Sequence, residues 1–410
     1  MQINFITFSS LLHKTDIVLS HKEIIDELNK FFTLKFYKPN EIDKLTDKDF
    51  TVVFIGTGGV EHLVISQFEK LPRPLIILAD NYENSLPAAL EISSWVRHQG
   101  VKCELLYGKK ETVVQRLQIM ADCFMAQHAL FGLKIGVIGT PSPWLVSSGV
   151  DYLLTKRRWG IEFIDITLDE VYKRYNSISG NDVHPEVENI ISRATQCRDC
   201  SPEEIVKAMR LYKAIKMVCD DFHLNALTLS CFKILEKLNV SGCLALSLLN
   251  DDGIIAGCEG DLQSIFTMVT SKTITGCDCF MANISRIMPD VNEVVFAHCT
   301  VGTKMADTFC LRTHYESNKS IGIQGILPMG VITAVRCGGE CLDEFYAASG
   351  DIIENTEYTH SCRTQIRVKM HSSVDYFLNN PLGNHHIVMA GNQVELLKKF
   401  FEINTCKRVE

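Results

Sequence analysis

Through the first 300 or so residues of this chain, short apolar runs alternate with longer stretches of helical periodicity. Strands separated by helices return in the same direction, so this alternation commits the chain to parallel sheets with crossover helices. Residues 3–8, 51–55 and 75–79 read as buried strands, and residues 21–32, 85–98 and 111–131 as helices. A second unit starts with the strand Leu133-Lys-Ile-Gly-Val-Ile-Gly139 and its turn Thr140-Pro-Ser-Pro143. The alternation then resumes, with strands expected over 159–165, 226–230, 243–246, 279–284 and 293–297, and helices over 168–177, 202–221, 232–238 and 260–271. Beyond about residue 303 the pattern becomes β-rich and glycine-punctuated at 331–337, 349–356 and 362–369, and a helix follows at 393–401. The expected class is α/β: an N-terminal α/β domain over 1–131, a central α/β domain over 132–300 and a β-rich domain with a terminal helix over 301–410.

Composition excludes several classes of function. The net charge of −8 is spread along the chain without a basic block, which argues against nucleic acid as a partner. No apolar run is long enough for a spanning helix, so no membrane role is expected. The start, Met1-Gln-Ile-Asn-Phe-Ile-Thr-Phe8, reads as a strand and lacks the basic region and cleavage pattern of a signal peptide. With 16 cysteines and no such signal, reduced thiols in the cytoplasm are expected. The spacing Cys197-Arg-Asp-Cys200 and the pair Cys337/Cys341 would need to converge to make a four-thiolate zinc site, and nothing in their spacing requires it. Ile55-Gly-Thr-Gly-Gly59 lacks both the dinucleotide fingerprint and the Lys-Ser/Thr of a P-loop, and reads as a close βα turn.

Four stretches carry the chemistry: Ala256-Gly-Cys-Glu-Gly-Asp261, Phe280-Met-Ala-Asn283, Ala297-His-Cys299 and Gly383-Asn-His-His386. Each sets an oxygen or imidazole donor beside small or apolar residues. They are far apart in sequence, so only tertiary structure could bring them together. A mix of carboxylate and imidazole suits Mn²⁺ or Mg²⁺ better than a structural zinc. Taken singly, each residue has a plainer role. Glu259 and Asp261 favour a helix N-terminus by roughly 0.3–1 kcal/mol. Asn283 is a turn-former, and His298 a hydrogen-bonded core residue. His385 and His386, adjacent in a strand, face opposite sides.

Together these stretches resemble the L-fucose/L-arabinose isomerase superfamily, in its divergent, shorter L-fucose isomerase-like members. Asn84-Ser-Leu-Pro-Ala-Ala-Leu-Glu91, Thr313-His-Tyr-Glu-Ser317 and Gly322-Ile-Gln-Gly325 add to the resemblance, which is strongest from about Leu227 to Gly391. It implies two α/β domains with a C-terminal β-barrel-like domain, assembled as a homotrimer or homohexamer with the active site where domains and subunits meet. It implies a bound Mn²⁺, or another divalent ion such as Mg²⁺, and no organic cofactor. Carried over, the ligands are Glu259, the Ala282 or Asn283 position, His298 and one of His385 and His386, with His386 favoured.

The implied activity is aldose–ketose isomerisation of a free pentose or 6-deoxyhexose (a small-molecule sugar resembling L-fucose, D-arabinose or L-arabinose) by enediol proton transfer, with Glu259 as base. Thr300, Gln324 and Asn384 would recognise hydroxyls, and Trp144 and Phe232 would supply apolar faces. One departure stands out. The family places a carboxylate after Phe-Met, whereas this chain has Ala282-Asn283. Either Asp261 or Asp278 substitutes, or the ion is held more weakly, or the substrate has shifted, or the chain is a non-catalytic sugar-binding or regulatory relative.

Overall fold

The computed structural model describes residues 1–10 and 17–410, which divide into two compact units, Met1–His128 and Ala129–Glu410. In the first unit, strands β1 (Gln2–Phe8), β2 (Thr33–Tyr37), β3 (Thr51–Ile55), β4 (Leu75–Leu78) and β5 (Cys103–Leu106) form a parallel sheet in the order β2-β1-β3-β4-β5. Every residue of β3 and β4 is buried, as expected for strands covered on both faces. The helix Ser85–His98 supplies Ala88, Ala89, Ile92 and Val96 to this core. The Gly-Thr-Gly-Gly stretch joins β3 to the helix Glu61–Ser66, and is the βα turn that its sequence suggested.

In the second unit, β6 (Lys134–Ile138), β7 (Glu162–Ile166), β9 (Ala226–Leu229) and β10 (Ile255–Cys258) make a parallel sheet in the order β10-β9-β6-β7, while the short β8 (Gln196–Cys197) lies elsewhere. The direction of winding reverses between β6 and β9, and a crevice opens at the carboxyl ends of such strands. The remaining strands are β11 (Phe280–Met288), β12 (Glu293–His298), β13 (Thr308–Arg312), β14 (Gly322–Ile326), β15 (Val331–Gly338), β16 (Glu344–Asn355), β17 (Thr364–Met370), β18 (His385–Ala390) and β19 (Lys407–Arg408). Six of them close an antiparallel barrel in the cyclic order β15-β18-β11-β12-β17-β16. β19 adds to β16, and β8, β13 and β14 form a small separate sheet. The chain is thus α/β with parallel sheets and a closed C-terminal barrel.

Four elements differ from the sequence expectation. β11 and β12, expected to close the central parallel unit, pair antiparallel with each other and belong to the barrel. The run Cys243-Leu-Ala-Leu246, expected as a strand, begins the helix Cys243–Asp251. Leu244, Ala245 and Leu246 are fully buried there, and a short run buried on every side carries no periodicity to separate helix from strand. Trp159 ends the helix Tyr152–Trp159 instead of opening a strand, and the left-handed Gly160 (φ 72°) stops that helix.

The helix Leu262–Thr275 is the piece that places the site. It packs against β9 and β10 on one side and against β15 and β18 of the barrel on the other. Its sequence suits burial all round, because Thr267, Thr270 and Thr275 return their hydroxyls to carbonyls four residues back, at 2.7, 2.9 and 2.7 Å. Among the described residues no helix is long and apolar enough to cross a membrane. All 16 cysteines are free.

Candidate functional site

At the carboxyl end of β10 the chain turns through two left-handed residues, Glu259 (φ 64°) and Gly260 (φ 70°), before the helix begins. A left-handed glutamate costs roughly 1–2 kcal/mol and persists only where its surroundings hold it. Here the turn after β6 does so: the Ser142 N–H donates to the Glu259 carbonyl at 2.9 Å. Gly260 has no alternative, since a Cβ would lie 2.7 Å from Pro141 Cα and 2.9 Å from the Thr140 carbonyl oxygen. The result aims the Glu259 carboxylate across the crevice toward the barrel.

Two imidazoles meet it there. His385 Nε2 lies 3.7 Å and His298 Nε2 4.0 Å from Glu259 Oε1, and the two rings stand 5.6 Å apart at 69°. All three donor atoms fall within 4.8 Å of one another. Each imidazole is held from behind. His385 Nδ1 lies 2.9 Å from Asp261 Oδ2, and His298 Nδ1 lies 2.9 Å from Thr300 Oγ1. Pinning Nδ1 in this way fixes the ring and leaves Nε2 to face the site. His385 Nε2 is fully buried with no hydrogen-bond partner. Trp144 donates its indole N–H to Glu259 Oε2 at 2.7 Å, so the carboxylate is also oriented.

The charges follow from this packing. Burial alone would raise the Glu259 carboxyl, but His385, His298 and Trp144 together push it down to about 2. Burial opposes a charge on His385 too, yet Asp261 and Glu259 outweigh it and raise the imidazole to about 9. His298 is pushed down to about 4 by burial and by its neighbour His385.

Asp261 is the hinge between sheet and barrel. It caps the helix by accepting from the Ser264 N–H at 2.8 Å, worth about 1 kcal/mol, and the same carboxylate faces His385 and Arg336. Arg336, on β15 and 1% exposed, donates to Ser264 Oγ at 2.6 Å, the His385 carbonyl at 2.7 Å, Gln263 Oε1 at 3.0 Å and Ser148 Oγ at 3.1 Å. Gly383 (φ 151°) lets the chain pass over this guanidinium, where a Cβ would lie 2.7 Å from Nη2. A buried charge with this many partners fixes geometry more than it adds stability.

The structure brings Glu259 and His298 together with His385, whereas His386, the member of the adjacent pair that the resemblance favours, lies elsewhere. His386 faces the other side of β18, where its Nε2 lies 3.0 Å from the Tyr376 hydroxyl and its ring packs among Tyr346, Tyr376 and Phe377. It is His385 that joins the site. Asn283 pairs across the ladder with His385 and lines the same pocket, but its carboxamide oxygen accepts from Asn384 Nδ2 at 2.6 Å. Thr300 holds His298 rather than facing open space. Gln324 lies on β14, where its Oε1 accepts from Arg312 at 2.8 Å, and does not line the pocket. Asp278 forms an ion pair with Lys272 beside a different cavity.

A pocket lined by Glu259, Asn283 and His298 opens beside the donors, and the space it marks out, open solvent included, is about 420 Å³. Phe232 lines it and meets Trp144 edge-on at 5.0 Å. His314 and Glu316 line it as well, from the loop between β13 and β14. Both fall within Thr313-His-Tyr-Glu-Ser317, a stretch that the sequence alone gives no role. Their only signal there was polarity in a loop; their approach to Glu259 depends on the fold. Cys231, Cys243, Cys258, Cys299 and Cys362 complete much of the wall. The Cys197/Cys200 and Cys337/Cys341 pairs supply no three-donor cluster among the described residues.

No family model matches the chain. It is 24% identical over 223 residues to the sulfoquinovose isomerases of Priestia aryabhattai and Priestia megaterium, covering 53% of this chain and 50% of theirs. The sulfoquinovose isomerase of Alkalicoccus urumqiensis is 24% identical over 228 residues. The chain spans about half the length of the curated relatives it matches.

Proposed function

We propose that this chain is a divalent-cation-dependent aldose–ketose isomerase acting on a free pentose or 6-deoxyhexose, a divergent relative of the L-fucose/L-arabinose isomerases. The meeting of Glu259, His298 and His385, two of which line one pocket, carries this reading. The likeness to proteins named as sugar isomerases supports it.

The donor set fits a divalent ion. One carboxylate and two imidazoles converge, both rings are fixed at Nδ1, and His385 presents a buried Nε2 that nothing else satisfies. Glu259, His298 and His385 would hold Mn²⁺ or Mg²⁺, which when bound supplies a Lewis acid for a sugar carbonyl. Asn283 contributes no charge, so this set is one carboxylate poorer than the family pattern.

The chain's own groups have separate tasks. Glu259 is the carboxylate placed to accept the proton next to the carbonyl. Trp144 keeps that carboxylate turned to the site, and with Phe232 offers an apolar face for the C–H side of a sugar. Asp261 and Thr300 hold the imidazoles, and Arg336 holds Asp261. Among the described residues the pocket lining contains Glu259 and Glu316 but neither lysine nor arginine. The absence of a basic side chain to meet a sulfonate supports an uncharged sugar over the sulfo-sugar in the relatives' names.

The test is a panel of neutral aldoses plus sulfoquinovose, offered to Mn²⁺-loaded protein, with ketose formation as the readout. Turnover of a neutral aldose with none of sulfoquinovose is expected. Saturable sugar binding with no ketose from any member would favour a binding or regulatory protein instead.

A further inference from the structure

Moving a carbonyl from C1 to C2 requires two proton transfers, one between carbons and one between oxygens. Glu259 provides one carboxylate, and the strand position after Phe280-Met281 provides none. Resting on the isomerase reading above, we propose that Glu316 is the second proton-transferring carboxylate, working between the two sugar oxygens.

The other acidic candidates are spoken for. Asp261 is fully buried and spent on Ser264, His385 and Arg336. Asp278 pairs with Lys272 at another cavity. Glu316, by contrast, lines the same pocket as Glu259 and His298, and its carboxylate forms no hydrogen bond or ion pair among the described residues. Its loop is well held. The Asn318 N–H donates to the His314 carbonyl at 2.9 Å, the His314 N–H to the Lys319 carbonyl at 3.0 Å, and the Ser320 N–H to Glu204 at 2.9 Å. His314 Nδ1 is tied to Ser317 Oγ at 3.0 Å, and Glu316, a solvent-exposed residue, lines the pocket beside it. Burial raises its pKa and the charge of Glu259 adds to the rise, while His314 opposes it; Cys299 adds a smaller upward push. A raised carboxyl suits a group that must give a proton as well as take one.

The proton balance closes. Glu259 takes the C2 proton, the C2–H electrons form the C1=C2 bond, and O1 receives a proton from the Glu316 carboxylic acid. Glu316, now a carboxylate, then takes the O2 proton as C2=O forms, and Glu259 returns its proton to C1. Both carboxyls end as they began, and the aldose has become a ketose.

Glu316→Gln and Glu316→Asp test the proposal in the full chain loaded with Mn²⁺. Glu316→Gln should lower kcat by about 10²–10⁴-fold, the usual range for a general acid–base group, with KM and Mn²⁺ affinity within about twofold. Glu316→Asp should recover part of the rate, because the carboxyl is kept. The pH–kcat profile of Glu316→Gln should lose the limb that Glu316 sets in the wild type. Wild-type turnover combined with an unimpaired Glu316→Gln overturns this role alone and leaves the isomerase reading intact. A Glu316→Gln protein that no longer binds Mn²⁺ also overturns it, since Glu316 would then serve the ion. A wild type that binds Mn²⁺ and converts no aldose overturns the isomerase reading and this role with it.

Discussion

Among the described residues a buried histidine faces an aspartate in each compact unit, and the difference between these two pairs is instructive. In the first unit His21 Nδ1 lies 2.6 Å from Asp80 Oδ2, and His21 Nε2 has no partner among the described residues. In the second, His385 Nδ1 lies 2.9 Å from Asp261 Oδ2, and His385 Nε2 is likewise without a partner. Up to the second nitrogen the two arrangements are nearly the same. Beyond it they diverge: the His21 ring meets Phe54 edge-on at 5.0 Å and Tyr82 at 6.1 Å, whereas His385 faces Glu259 and His298. A carboxylate behind an imidazole fixes its orientation; only what stands in front of it makes a site.

The largest effect should separate the two pairs outright. In chelator-stripped protein, calorimetry should find one saturable Mn²⁺ site that His385→Ala and Glu259→Gln each weaken by at least about 100-fold. His21→Ala should leave that affinity unchanged, and a loss there would dissolve the contrast. Next come the orienting carboxylates. Asp261→Asn should weaken Mn²⁺ binding about 10–100-fold and, by leaving Arg336 without its counter-charge, cost roughly 3–5 kcal/mol in urea unfolding. Asp80→Asn should touch stability alone, so a change in Mn²⁺ affinity would show that the pair in the first unit had been misjudged.

Smaller changes sharpen the picture around His385. Asn283→Asp restores the missing charge and should tighten Mn²⁺ binding about tenfold, because affinity for hard cations follows ligand charge. Weaker binding would mean that the carboxamide pair with Asn384 helps hold the site. Smallest of all is Tyr376→Phe on the opposite face of β18. It removes the hydroxyl that lies 3.0 Å from His386 Nε2 and accepts from the Leu382 N–H at 3.1 Å. About 1–3 kcal/mol of stability should go with it, and Mn²⁺ affinity should not move. A shift above twofold would return His386 to the site.

Much of the architecture was legible from local pattern. Alternating apolar runs and helical periods are set by which face of each element is buried, and that produced the parallel sheets and the β-rich end. The pattern failed where burial is uniform, at Cys243–Asp251, and where a strand's partners are remote, at β11 and β12. The donor-bearing stretches were visible too, because a glutamate between glycines and histidines at strand ends are unusual neighbours for apolar runs.

By itself, then, the sequence determined the α/β class, the turn that presents Glu259 and the short list of donors. The tertiary structure decided which of those donors meet. Adjacent strand residues point to opposite faces with equal local plausibility, and only the packing of β18 between Asp261 on one side and Tyr376 on the other selected His385 over His386. The same holds for Arg336 and Glu316. Nothing near them in the chain marks their roles, because those roles are set by partners brought in from distant elements of the fold.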